Sequence, residues 1–142
     1  MTEHNNHQTI NKTLGIPELL VALKDKKEVV RAEAALALGE LQAKEAIPYL
    51  QNALKVENRK RARLDMYFAL YKFGIETDLA PLLHMLKAKP SGTRKEVADR
   101  LVRVVNNENK QVILTALENA LAKEEDEEVK AVLVNGLTKL NN

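Results

Sequence analysis

The chain has 142 residues, of which 45% are hydrophobic, 30% charged and 4% aromatic, and its net charge is +2. These values are typical of one globular domain with an aliphatic core, and a charge so near zero gives no general argument for nucleic acid as a partner. The absence of cysteine excludes disulfides and cysteine-ligated zinc.

Residues 1–13 are polar, lack apolar periodicity and do not follow the basic-then-apolar order of a signal peptide. We expect them to form a flexible N-terminal tail. No later stretch is apolar for long enough to span a bilayer. The sequence therefore predicts a cytoplasmic protein with no membrane partner.

From Leu14 onwards, apolar residues recur with the spacing of one face of an α-helix, and no segment alternates as a strand would. The low content of glycine and proline also favours helix. The predicted helices cover residues 16–24, 28–42, 46–56, 60–74, 78–88, 92–106, 109–123 and 127–140.

The second, fourth, sixth and eighth helices of this series each carry a basic residue near the start, and apolar residues follow it three, four, seven and ten positions later. These basic residues, here called the head residues, are Arg31, Arg63, Arg94 and Lys130. The alternate helices share a second pattern, seen in "IPELLVALK" (16–24) and "IPYLQNALK" (47–55). The chain is therefore predicted to contain four helix–turn–helix repeats, at about residues 15–42, 46–74, 78–106 and 109–140, within one domain over 14–142. Self-similarity at this spacing predicts an all-α, right-handed α-solenoid.

The stretch "VRAEAALALGEL" (30–41), followed by "AIPYLQNAL" (46–54), resembles the short HEAT-like repeats of the phycobilisome-lyase-type family. The second repeat departs from that pattern, because Met66 and Tyr67 stand where the first has a pair of alanines. The resemblance implies a solenoid whose second helices line an inner surface. It does not imply one particular function.

Small side chains in the first repeat predict a close approach between the helices of successive repeats. These residues are Ala34, Ala35 and Gly39. We expect the head residues to be structural and to bond carbonyl or carboxylate groups in the turn of the neighbouring repeat, with Asp25 as a natural partner for one arginine. The densest basic run contains Arg59, Lys60 and Arg61, which form a candidate anion-binding patch.

Positions two, five and nine residues after each head residue are expected to face away from the core and to line a groove. Phe68 and the nearby Tyr71 would act as aromatic anchors there, and the flanking charges would set the orientation of a partner. The predicted groove residues are Glu33, Leu36, Glu40, Asp65, Phe68, Tyr71, Lys72, Asp99 and Arg103.

The sequence holds no organised nucleophile, base, phosphate loop or metal-ligand motif, so we predict a non-enzymatic protein without a cofactor or a metal. A binding or scaffold module for a protein or peptide is the leading hypothesis. Two alternatives stay open: a nucleic-acid-binding protein, and a subunit of a lyase-type chaperone for chromophore attachment. Apolar residues of the last repeat, Val132, Val134 and Leu137, also predict end-to-end association of copies of the chain.

Overall fold

The computed structural model describes residues 14–142, and the predicted tail at 1–13 lies outside the described residues. The helices are α1 (Ile16–Ala22), α2 (Glu28–Leu41), α3 (Ile47–Val56), α4 (Lys60–Lys72), α5 (Ala80–Met85), α6 (Ser91–Arg103), α7 (Lys110–Lys123) and α8 (Glu127–Asn141), with a 3-10 turn at Lys44–Ala46. All eight predicted helices are present, and residues 14–142 contain no strand. The all-α, HEAT-like helical repeat fold is therefore confirmed.

The helix ends follow local chemistry. Pro17 and Pro48 lie in the first turns of α1 and α3, where the missing N–H has no partner to lose. The Asp126 carboxylate accepts hydrogen bonds from two backbone amides at the start of α8, which is ordinary N-capping. At the end of α2, Gln42 adopts a left-handed conformation with φ of 54°, which turns the chain towards α3.

The structure consists of two compact units that divide between Thr77 and Asp78. In the first unit, α2 packs against α1 and α4, and α3 packs against α4. In the second unit, α6 packs against α5 and α8, and α7 packs against α8. Each unit thus contains two repeats, and the prediction of a single domain over 14–142 stays a prediction.

The core of the first unit is made of leucine, alanine and methionine. Leu19, Leu38, Leu50, Met66 and Leu70 are all fully buried. They lie in one cluster that also contains Ala34, Ala35 and Ala69. The aliphatic core that the composition predicted is present.

The small residues of α2 allow a close contact with α4. A Cβ atom added to Gly39 would lie 2.9 Å from both the Cα and the Cβ of Ala69, which is closer than carbon atoms pack. Ala34 and Ala35 have no exposed surface. The predicted seam of small side chains between successive repeats is therefore confirmed in the first unit.

Most of the apolar residues that stand three, four, seven and ten positions after a head residue are buried or partly buried. Two are exposed: Leu41 at 57% and Val134 at 48%. Leu41 is the last residue of α2 and lies where the chain turns away at Gln42. The pattern therefore identifies the packed face of each second helix, except at Leu41 and Val134.

The contact at Gly39 predicts a loss of stability in Gly39→Ala. Replacing glycine by alanine inside a helix usually gains up to about 1 kcal/mol, but the added methyl meets the backbone of α4, and overpacking of this kind costs about 1–3 kcal/mol. Urea denaturation should therefore show a lower free energy of unfolding. Gly92→Ala is the matched control, because a Cβ at that position meets nothing within 4 Å; equal effects of the two substitutions would contradict the proposed seam.

Candidate partner-binding surfaces

The head residue Arg31 joins the two repeats of the first unit. Its Nε and Nη2 donate to the two carboxylate oxygens of Glu57, at 2.7 and 2.9 Å, and its Nη1 donates to the carbonyl of Asp25 at 2.9 Å. Glu57 also accepts the backbone N–H of Arg59 at 3.1 Å, just before α4. Asp25 therefore contributes its carbonyl, as a turn partner, and the carboxylate that pairs with Arg31 comes from the next repeat.

The same arrangement recurs in the second unit. Arg94 donates through Nε and Nη2 to both oxygens of Glu124, at 2.9 and 2.8 Å, and through Nη1 to the carbonyls of Ala88 and Lys89. Glu124 accepts the backbone N–H of Asp126 at 3.0 Å. We call each of these two arrangements an Arg–Glu fork. Two-point pairing of this kind is among the stronger side-chain interactions and fixes the geometry of both partners.

The other two head residues bond differently. Arg63 donates to the carbonyls of Glu57 and Leu54, at 2.8 and 3.3 Å, and forms no carboxylate pair with residues 14–142. Lys130 pairs with Glu127 of its own helix, at 3.4 Å. The expectation that the head residues bond carbonyls or carboxylates in the turns of a neighbouring repeat is confirmed for Arg31 and Arg94, through Glu57 and Glu124. It is wrong for Arg63, whose carbonyl partners belong to its own repeat, and for Lys130, which pairs within its own helix.

The glutamates of the forks were missed at the sequence level, although a signal for them exists. Glu57 and Glu124 each stand six residues before the head residue of their own repeat, as Asp25 does in the first repeat. The third repeat has Ala88 at this place. An acidic residue at a fixed repeat position, aligned across the repeats, would have identified the partner of the preceding head residue.

The basic run at the start of α4 lies next to a carboxylate of the preceding repeat. Glu28 accepts the backbone N–H groups of Arg61 and Ala62, at 3.0 and 3.4 Å, and pairs with Arg59 at 3.5 Å. Negative charge at a helix N-terminus is favourable, so Glu28 offsets the unfavourable placement of the cations. Lys60 is exposed, and anion binding by Arg59, Lys60 and Arg61 stays a prediction.

The central part of the predicted groove is buried. Phe68 has no exposed surface, Asp65 is 1% exposed and Glu33 is 9% exposed. Residues 64–70 of α4 are all buried, and seven consecutive residues cover the whole circumference of a helix. The expectation that Phe68 is an exposed anchor, and that Glu33 and Asp65 face solvent, is therefore wrong: α4 is covered on every side.

The exposed part of the predicted groove in the first unit is smaller and its charges are paired. Lys72 of α4 lies 2.9 Å from Glu40 of α2, and its ammonium lies 5.7 Å from the centre of the Phe68 ring. Leu36 and Tyr71 are half-buried. What remains on this face is an ion pair between the half-buried Lys72 and the exposed Glu40.

In the second unit, the predicted residues Asp99 and Arg103 pair with each other along α6, at 3.0 Å. Arg100, which was not predicted, is 4% exposed and lies 2.6 Å from Asp99 and 3.1 Å from Glu96. The charges of this face therefore neutralise one another within one helix. Beside them, Asp99 and Lys139 line a small depression of about 160 Å³.

Two larger clefts lie between successive first helices. The α1/α3 cleft, in the first unit, has a volume of about 610 Å³. Its lining includes Leu20, Leu23, Tyr49, Ala53 and Val56, and the fork residues Arg31 and Glu57. Tyr49 and Val56 are 48% and 83% exposed, so apolar surface is open to solvent at its rim.

The α5/α7 cleft, in the second unit, has a volume of about 810 Å³. Its lining includes Leu83, Leu86, Ala116 and Ala120, the fork residues Arg94 and Glu124, and the lysines Lys87, Lys89 and Lys123. Both volumes fall within the range of about 300–1,000 Å³ that is usual for binding sites. Neither cleft was predicted from the sequence.

Within residues 14–142, no three His, Asp or Glu side chains come together in an arrangement that would hold a metal ion. No helix in this part of the chain has the length and the apolar character needed to cross a membrane.

Comparison with known protein families gives a match over much of the chain. The family described as HEAT repeats matches residues 16–103, which is more than half of the chain. No curated protein matches the sequence. The family match covers the first two repeats completely and extends to the end of α6.

Burial of Phe68 predicts that Phe68→Ala removes about 3–5 kcal/mol from the free energy of unfolding, because the substitution leaves a cavity inside the protein. Denaturation followed by circular dichroism measures this change. Leu36→Ala, at a half-buried position of the same predicted groove, should cost less. A Phe68→Ala variant as stable as the wild type would contradict the burial of Phe68 in the core.

The Arg94–Glu124 fork predicts a pH-dependent contribution to stability. The hydrogen bonds from Arg94 lower the pKa of Glu124 from its ordinary value of 4.5 to about 2. Since the unfolded chain then binds more protons than the folded one, this contribution is complete above pH 4.5 and is lost as the pH falls towards 2. Glu124→Gln should reduce the slope of stability against pH in that window, whereas Glu125→Gln, at an exposed neighbour outside the fork, should change it less.

Proposed function

The chain belongs to the HEAT-repeat family, and from that membership we propose that it is a non-catalytic module that binds a protein or peptide partner. HEAT repeats generally mediate protein–protein interaction or scaffolding. The proposal rests on one observation above all: in each unit, an apolar cleft of several hundred Å³ opens between successive first helices.

The α1/α3 cleft has the features of a protein contact. Leu20, Leu23 and Ala53 give it an apolar floor, and Tyr49 and Val56 expose apolar surface at its rim. Exposed apolar residues that stand singly are ordinary, but apolar surface gathered around a concavity is typical of an interaction site. A tyrosine at such a rim adds a large rigid contact with a polar end.

The predicted groove on the second helices is retained in a reduced form. Its exposed or half-buried members in the first unit, Leu36, Glu40, Tyr71 and Lys72, would form a secondary contact. The pairing of Lys72 with Glu40 makes this face nearly neutral. It therefore supplies orientation to a partner rather than most of the affinity.

Nucleic-acid binding is a second candidate, favoured by the exposed cations Arg59 and Lys60 at the start of α4. A phosphate-binding surface would make affinity for random duplex DNA fall steeply with salt. Against this candidate stands Glu28, which pairs with Arg59 and occupies the helix N-terminus.

The finer assignments made from the sequence are carried here as proposals. They are membership of the phycobilisome-lyase-type subfamily with a chaperone role in chromophore attachment, location in the cytoplasm, and end-to-end association through α8. The 48% exposure of Val134 on α8 supports the last of these.

The proposal is tested by surface substitutions that leave the core unchanged. Proteins that bind the immobilised wild-type chain in an extract of its host are identified and purified, and their affinities are measured by calorimetry. Val56→Glu should abolish or strongly weaken binding of a true partner, because it places a charge in the apolar rim of the α1/α3 cleft. A residue 83% exposed tolerates this change without loss of folding.

The matched control is Val112→Glu, at another exposed valine that lies outside both clefts (51% exposed). It should leave the affinity unchanged. A partner whose affinity is insensitive to Val56→Glu, and to substitution of the residues lining the α5/α7 cleft, would contradict the proposal that the clefts bind partners.

A further inference from the structure

The α1/α3 and α5/α7 clefts are built from residues at equivalent positions of the repeat. In each cleft, two leucines from one first helix and its following turn face an alanine from the next first helix, with an Arg–Glu fork below them. The equivalent pairs are Leu20 and Leu83, Leu23 and Leu86, Ala53 and Ala120, Arg31 and Arg94, and Glu57 and Glu124. Because the framework is the same, the positions that differ determine what each cleft accepts.

Two of these positions change the size and the charge of the cleft. Where the α1/α3 cleft has Tyr49, the α5/α7 cleft has Ala116, and its volume is about 810 Å³ instead of about 610 Å³. Where the first has Val56, the second has Lys123. The α5/α7 cleft is therefore wider, and it carries a cation where the α1/α3 cleft carries an exposed valine.

The rim of the α5/α7 cleft is positively charged. Lys87, Lys89 and Lys123 are exposed, and none of them forms an ion pair within the described part of the chain. Arg94 and Glu124 neutralise each other in the fork, so Glu125 is the carboxylate of the lining that opposes the three lysines. The balance of charge around the cleft is positive.

From these observations, and resting on the proposed function, we infer that the α5/α7 cleft binds an acidic peptide segment that also carries apolar side chains. The carboxylates of the peptide pair with the lysines of the rim. Its apolar side chains fill the space above Leu83, Leu86 and Ala120, where Ala116 leaves room. The fork forms a rigid part of the cleft wall, since both oxygens of Glu124 already accept hydrogen bonds from Arg94.

The apolar floor favours a peptide over nucleic acid. Affinity for a duplex comes mainly from many contacts between cations and phosphates along the backbone. Three lysines around a cleft with a leucine and alanine floor provide few such contacts, and phosphates would leave the floor unfilled. A peptide with both carboxylates and leucines satisfies both parts of the surface.

The test titrates the full chain with a short fluorescent peptide in which leucines at helical spacing are interspersed with glutamates. One control peptide has lysine in place of glutamate, and a second has alanine in place of leucine. We expect the first peptide to bind most tightly by fluorescence anisotropy. Lys123→Val should weaken its binding by up to about fivefold, the usual upper range for one exposed ion pair.

Ala116→Tyr separates binding in the cleft from general attraction between opposite charges. It fills the space without changing the charge, and we expect it to abolish binding of the acidic peptide. The chain already has Tyr49 at the equivalent position of the α1/α3 cleft, so the repeat accommodates this side chain. Thermal denaturation of the variant verifies that it folds.

The reciprocal experiment converts the first cleft into the second. Tyr49→Ala combined with Val56→Lys should create a second binding site, which raises the stoichiometry of the acidic peptide from one to two. Peptide binding that is insensitive to Ala116→Tyr, tighter binding of the lysine peptide, or tighter binding of duplex DNA would each overturn the inference. If such a result is obtained while Val56→Glu still weakens the binding of protein partners, only the inference about the acidic peptide fails. If substitutions in neither cleft change the binding of any partner, the proposed function fails as well.

Discussion

The Arg–Glu fork is the interaction on which the packing of each unit depends. One guanidinium bonds the turn of its own repeat and both carboxylate oxygens of the next repeat, and that carboxylate then holds a backbone amide just before the following helix. The fork thereby sets the turn, the register between repeats and the start of the next second helix. Arginine is suited to this task because its planar guanidinium presents several donors in fixed directions, which lysine lacks. Lys130, in the fourth repeat, bonds Glu127 of its own helix in the described structure.

The fork also explains why the clefts lie between the first helices. The second helices approach closely through small residues, as at Gly39 and Ala69 in the first unit. The first helices line the clefts with leucines and alanines, and the fork residues line each cleft beside them. The second helices are therefore close together, whereas the first helices leave a space beside the ion pair of the fork. The space between the first helices is an open cleft with an apolar floor.

The sequence correctly predicts features that depend on the spacing of residues along one helix. It does not predict features that depend on how many other helices surround that helix. Helical periodicity and turn chemistry were sufficient for the eight helices, the prolines in the first turns and the seam at Gly39. They were insufficient for Phe68 and Asp65, because periodicity describes the packing of one face, whereas residues 64–70 of α4 are covered all round. An aspartate that is 1% exposed contradicts the usual preference of that residue for solvent. The clefts were missed because helical periodicity indicates which residues pack, and it does not indicate where two neighbouring helices leave a space between them.

Comparison of the two clefts distinguishes the residues that are the same in both from the residues that differ. The leucines, the alanine and the fork are the same in both units, and each of them packs or bonds within the repeat framework. Tyr49 and Val56 differ from Ala116 and Lys123. Tyr49, Val56 and Lys123 are exposed, and substitution at exposed positions usually changes stability by no more than about 0.5 kcal/mol. Charge and volume at the rim can therefore change without disturbing the stack. A repeat protein built in this way carries two clefts of different size and charge on one framework.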